Sequence, residues 1–197
     1  KHPDLSLWWD FVNMEKDFSK FRNPVFLESG WYDAAYGPEG ATRAFNKMRK
    51  EAATATAKDE TILMLGPWNH TSLNTRKTSF GEVQYGTNAG IDYDAELLRW
   101  FDVQLKDEEK KNPLPAVSIF TMGENKWHSE KEWPLSRAVP VSYYLSYSGK
   151  EKNSGTLLNQ IHESEKSVSY VFDPANPVWD KSYEKSYPYD QRNIESR

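Results

Sequence analysis

An aspartate and a histidine stand in this chain where proton transfer could use them: Asp33, closing Gly30-Trp31-Tyr32-Asp33, and His70, closing Gly66-Pro67-Trp68-Asn69-His70. A histidine that titrates near neutrality can take a proton from a hydroxyl nucleophile and pass it to a leaving group, while a buried aspartate fixes its tautomer and stabilises the imidazolium. That chemistry needs a third group. No G-x-S-x-G turn occurs in the 197 residues, so a serine nucleophile is expected upstream of Lys1. Neither residue is decisive alone, because an aspartate after a strand is commonly a helix cap or turn residue and a loop histidine is commonly a bystander. His2, His128 and His162 show neither H-x-x-x-H spacing nor clustered carboxylates, so no metal and no cofactor is expected. Asn69-His70-Thr71 matches a glycosylation sequon, but a glycan there would block a base at His70.

The elements around the pair must bring it together. Pro24 to Gly30 reads as a strand ending in a glycine turn, and Pro38 to Lys50 as a helix with Ala41, Ala44, Phe45 and Met48 on one stripe. Thr61 to Leu65 is a second buried strand, closed by Gly66-Pro67. Asp94 to Lys106 reads as a helix with Asp94 as N-cap and Leu97, Leu98, Phe101 and Leu105 at core spacing. Apolar strands alternating with helices imply a parallel sheet covered on both faces, and active sites of such folds lie at the carboxyl edge. Asp33 and His70 both follow such an edge. Only one strand-helix-strand unit separates them, and the order acid then base is that of α/β-hydrolases. Glu51 to Asp59 extends the connection between the strands and carries no assigned role.

The pattern changes near Asn112-Pro113-Leu114-Pro115. A domain boundary is placed there, giving an α/β part, 1–112, and an all-β part, 113–197. In the second part Val117 to Met122, Val141 to Ser146 and Val168 to Phe172 are strand-like and polar turns separate them. A sandwich is the expected form.

Bulk properties narrow the chemistry further. A net charge of -4 leaves no basic surplus for neutralising phosphates, so nucleic acid is an unexpected partner. The absence of cysteine removes disulfides, thiolate metal sites and thiol nucleophiles. Apolar runs such as Ile62 to Leu65 are too short to span a bilayer, so no membrane partner is expected. The compartment stays open, and so does assembly into a homo-oligomer. Trp 8, Tyr 11 and Phe 9 by count suit packed β-structure with a ligand surface.

Taken together, Gly30-Trp31-Tyr32-Asp33 and Gly66-Pro67-Trp68-Asn69-His70 resemble the acid and base motifs of the cocaine esterase and glutaryl acylase-like hydrolases, relatives of X-Pro dipeptidyl-peptidases. The likeness continues along the chain. Leu98-Arg99-Trp100-Phe101-Asp102 resembles the helix closing the family's hydrolase domain. Phe120-Thr121-Met122-Gly123, Trp127, Glu132-Trp133-Pro134-Leu135 and Phe172-Asp173-Pro174 resemble segments of its jelly-roll domain. The resemblance implies the closing part of an α/β-hydrolase sheet followed by the start of a jelly-roll-like β-sandwich. It implies Asp33 as triad acid, His70 as general base, and a small-molecule ester, amide or peptide as substrate.

Family members that act on α-amino-acid esters carry a Glu-Asp pair two and three residues after the acid. Here those positions are Ala35 and Tyr36, which favours a neutral or aromatic acyl group. Trp31, Tyr32, Ala35 and Trp68 flank the pair as candidate pocket walls. Two other readings remain at this stage: a non-catalytic aromatic-rich binding module, in which Asp33 and His70 need not meet, and a degenerate hydrolase without its serine.

Overall fold

A computed structural model describes residues 4, 6–33, 37–70, 75–80, 83–106, 114–147, 155–161, 169 and 171–175. The chain divides into two compact units, Lys1–Ser136 and Arg137–Arg197.

The first unit contains two adjacent parallel strands, β1 (Phe26–Gly30) and β2 (Ile62–Gly66). Their register runs from Phe26 opposite Ile62 to Gly30 opposite Gly66, so the two strands end level. β2 is buried along its whole length, as a central strand with apolar side chains on both faces must be. Between them lie α1 (Gly37–Glu51) and α2 (Ala55–Asp59). In α1, Phe45 with Ala41 packs on Leu63 and Leu65, while Met48 with Ala44 packs on Phe18, Ala52 and Ala57. The four-residue spacing of each pair is the helical stripe read from the sequence. Thr54 caps α2 by accepting the Ala57 N–H. The stretch from Glu51 to Asp59 thus holds the end of α1, a non-helical link at 52–54 and the short helix α2. Buried Thr61 is satisfied on both sides, accepting from Val25 N and donating to the Ala57 carbonyl.

A short antiparallel pair follows, β3 (Ser79–Phe80) and β4 (Val83–Gln84), and then α3 (Tyr93–Leu105). Two features of α3 differ from expectation. The cap is Asp92, whose side chain accepts the Ala95 N–H, while Asp94 sits in the first turn and shares Arg76 with Asp92. The buried face is formed by Trp100 and Val103, and Leu98, Phe101 and Leu105 are exposed. Trp100 packs with Ile62, Leu114 and Phe26, so the larger indole decides the rotation of the helix against the leucine stripe.

The segment after Pro115 also differs from expectation. β5 (Val117–Thr121) pairs parallel to β2, and β6 (Lys126–Glu130) pairs antiparallel to β5, giving one sheet in the order β1-β2-β5-β6. Val117 and Phe120 are fully buried. Residues 114–136 therefore stand within the first compact unit rather than opening a separate sandwich. Pro115 stands just ahead of β5, a local signal that does not say which sheet the next strand joins.

In the second unit the described strands are β7 (Tyr144–Ser146) and β8 (Thr156–Leu158), an antiparallel pair with Tyr144 opposite Leu158. β7 is the end of the strand expected at Val141 to Ser146. The strand expected at Val168 to Phe172 falls partly outside the described residues, and Val171 and Phe172 are not in a strand. Among the described residues no helix is long and apolar enough to cross a membrane.

Candidate active site

The site grows out of the level ends of β1 and β2. Gly30 and Gly66 face each other there, and both positions are too close to Trp68 for a side chain. A Cβ on Gly66 would lie 2.1 Å from the Trp68 ring, and one on Gly30 would lie 1.9 Å from the Trp68 carbonyl oxygen. The missing side chains let the two turns lock together. Trp31 N–H donates to the Gly66 carbonyl at 2.9 Å, and Tyr32 N–H to the Trp68 carbonyl at 3.1 Å. Asp33 N–H closes its own turn on the Gly30 carbonyl at 3.0 Å.

These turns deliver Asp33 and His70 to each other. His70 Nδ1 lies 3.1 Å from Asp33 Oδ2. The Asp33 side chain is 8% exposed and the His70 side chain 54%. The carboxylate is thus sheltered while the imidazole reaches outward. With Nδ1–H donating to Asp33, Nε2 carries the lone pair and can act as a base, and Asp33 is placed to hold that tautomer.

The flanking aromatic residues have structural partners. Trp31 Nε1 donates to the Phe120 carbonyl at 2.9 Å, and its ring lies 6.1 Å from that of Trp133. The Tyr32 hydroxyl is hydrogen-bonded to that of Tyr85, in a cluster with Phe120 and Trp127. Trp68 is a core residue, 1% exposed. Its Nε1 donates to Glu28 and its ring lies 5.5 Å from that of Trp127. Ala35 and Tyr36 lie outside the described residues, as do His2 and His162. His128 bonds Glu124 at 3.0 Å on the β5–β6 hairpin. Asn69 is buried, a poor position for a glycan acceptor. Among the described residues no group of three or more His, Asp or Glu side chains is placed to hold a metal.

One residue of this neighbourhood escaped the sequence reading. Glu28 is a half-buried carboxylate on β1. Burial pushes its pKa above the usual carboxylate range, the Trp68 hydrogen bond opposes this, the Asp33 charge adds to the rise, and His70 draws it down. A charge inside Pro-Val-Phe-Leu-Glu-Ser-Gly was the available signal, since a strand covered on both faces has no solvated side to receive it.

A mixed sheet whose adjacent parallel strands end in turns that bring a sheltered carboxylate to an outward-reaching histidine has the form of the carboxyl edge of an α/β-hydrolase sheet. Comparisons with known proteins agree with that class. Residues 1–72 match the model of the X-Pro dipeptidyl-peptidase (S15) family. Cocaine esterase from Rhodococcus sp. (strain MB1 Bresler) is 29% identical over 184 residues, covering 90% of this chain and 30% of that protein. The structure of a selenomethionine-labelled α-amino acid ester hydrolase matches with TM-score 0.71 at 25% identity, covering 90% of this chain and 29% of that one. An aminopeptidase from a marine-sediment Thaumarchaeota archaeon shares the fold, with TM-score 0.68 at 24% identity, over 90% of this chain and 28% of that one. The resemblance read from the two motifs is upheld: the chain is a relative of the cocaine esterase and X-Pro dipeptidyl-peptidase group. It spans less than a third of the length of the curated relatives it matches.

Proposed function

We propose that this chain is part of a serine hydrolase that cleaves ester or amide bonds, with Asp33 as triad acid, His70 as general base, and the nucleophilic serine and oxyanion donors supplied by upstream sequence. His70 Nε2 takes the serine hydroxyl proton as the oxygen attacks the substrate carbonyl carbon. The bond to the alcohol or amine then breaks, and the same proton passes to the leaving group. Water deacylates the acyl-serine by the mirrored sequence, again with His70 as base. Asp33 stays ionised throughout and stabilises the imidazolium.

The observation that carries this reading is the 3.1 Å approach of His70 Nδ1 to the sheltered Asp33 carboxylate. It also weighs against the binding-module reading, which gives the two residues no reason to meet. Small esters, amides or short peptides are the substrate class, and Ala35 with Tyr36 favours a neutral or aromatic acyl group. We read the all-β remainder as the start of a jelly-roll domain, beginning after Ser136, where the compact units part.

The test is turnover of a chromogenic aryl ester by the protein carrying its upstream sequence. His70→Ala is expected to abolish hydrolysis while the far-ultraviolet circular dichroism stays unchanged. Hydrolysis persisting at the wild-type rate in that variant rejects the assignment.

A further inference from the structure

We infer that Glu28 is a positioning residue for His70: its carboxylate, bound to Trp68, fixes the turn that carries the base and places a second negative charge beneath the Asp33–His70 pair. The inference rests on the acid and base reading above and deepens it.

The connection can be followed bond by bond. Glu28 stands opposite Met64 in the β1–β2 register, and its carboxylate accepts from Trp68 Nε1. Trp68 precedes His70 by two residues, and its own carbonyl accepts the N–H of Tyr32, the neighbour of Asp33. Glu28, Trp68 and Tyr32 therefore tie the strand of the acid to the turn of the base and back again. The buried Trp68 ring, lying over Gly66 where no Cβ fits, leaves this tie little room to shift.

The tie alone does not require a charge. A glutamine oxygen would accept the indole N–H equally well, and a half-buried carboxylate is costly in a strand covered on both faces. The titratable groups that interact with Glu28 give its charge a role. They are Asp33 and His70 from the strand-end turns, and Tyr93 from α3, whose own pKa is pushed up by burial and then by Glu28. A negative charge here disfavours further anionic character in the pair and favours the imidazolium that forms when His70 accepts a proton. Glu28 thus orients the base and supports its protonated form without touching substrate.

Glu28→Gln in the protein carrying its upstream sequence keeps the acceptor and removes the charge. The acidic limb of the kcat/KM profile, where the general base takes up a proton, should move to lower pH by roughly half a unit to one unit, a one-charge coupling weakened by the solvent that reaches the half-exposed His70. Plateau kcat should fall with KM unchanged. The melting temperature at pH 8 should hold or rise, because a carboxylate whose folded pKa is raised withdraws stability as pH climbs through that pKa. Trp68→Phe, which keeps the charge and removes the donor, should lower kcat and leave the limb in place. An unmoved limb in Glu28→Gln, or loss of its fold, overturns the inference. His70→Ala assayed alongside separates the two proposals: if it is inactive while Glu28→Gln behaves as wild type, only the Glu28 inference falls. If it is active, the acid and base reading falls as well.

Discussion

The two faces of the sheet at β1 and β2 follow different rules. On the α1 face, Leu63 and Leu65 of β2 meet Phe45, Val117 and Ile119 in a cluster of buried apolar side chains. On the α3 face, Phe26 and Ile62 pack on Trp100, but the same side of β1 also carries Glu28, and Trp68 lies across the strand ends. Strand alternation makes this division possible, since successive residues of one strand serve opposite faces. The first face is chiefly a stability surface, where buried Ser29 donates to the Gly37 carbonyl. The second mixes packing with a half-buried carboxylate and a hydrogen-bonded indole, an arrangement that costs stability unless each group finds a partner. The carboxylate interacts with Asp33 and His70, and the proposed positioning role gives that cost a use.

This contrast can be tested by substitution, taken in order of expected effect in the protein carrying its upstream sequence. Asp33→Asn should leave folding intact and lower kcat by about 10⁴-fold, through loss of control over the His70 tautomer. Steady-state kinetics checks this, and normal turnover would remove Asp33 from the account. Leu63→Ala on the α1 face should cost about 2–5 kcal/mol of stability by leaving a cavity. Chemical denaturation measures that cost, and the pH–rate profile of the folded fraction should be unchanged.

Gly66→Ala should cost about 1–3 kcal/mol by overpacking against Trp68. Unlike Leu63→Ala, it should also lower kcat, because the displaced Trp68 carries the carbonyl that anchors Tyr32 and the side chain bound by Glu28. If Gly66→Ala and Leu63→Ala differ only in stability, the two faces are not functionally distinct. Thr54→Ala should cost about 1 kcal/mol through loss of the α2 cap, with no kinetic effect, as read from thermal melting.

Much of this arrangement was legible in the sequence, because it is local. The apolar run of β2, the stripe of α1 and the glycines before each turn are enforced by neighbours in the chain. The spacing of the two turns was enough to bring Asp33 and His70 together. What local pattern could not decide was competition between partners. Asp92 and Asp94 are both acceptable caps, and the geometry of Arg76 and Ala95 selects the first. The leucine stripe of α3 loses its core position to Trp100, and β5 joins β2 because that edge of the strand was open, a fact no residue of β5 announces. Trp68 reads as a pocket wall beside a strand end, yet two glycines make room for it in the core. Glu28 gave the opposite lesson: its charge was visible, but its partners lay on other elements.

The most direct measurement of the central claim is the rate at which a fluorophosphonate labels the protein with its upstream sequence, compared with its His70→Ala variant. A serine activated through His70 predicts rapid labelling at one upstream serine, lost by orders of magnitude in the variant. Equal labelling rates in the two proteins, or labelling at a serine within residues 1–197, would contradict it.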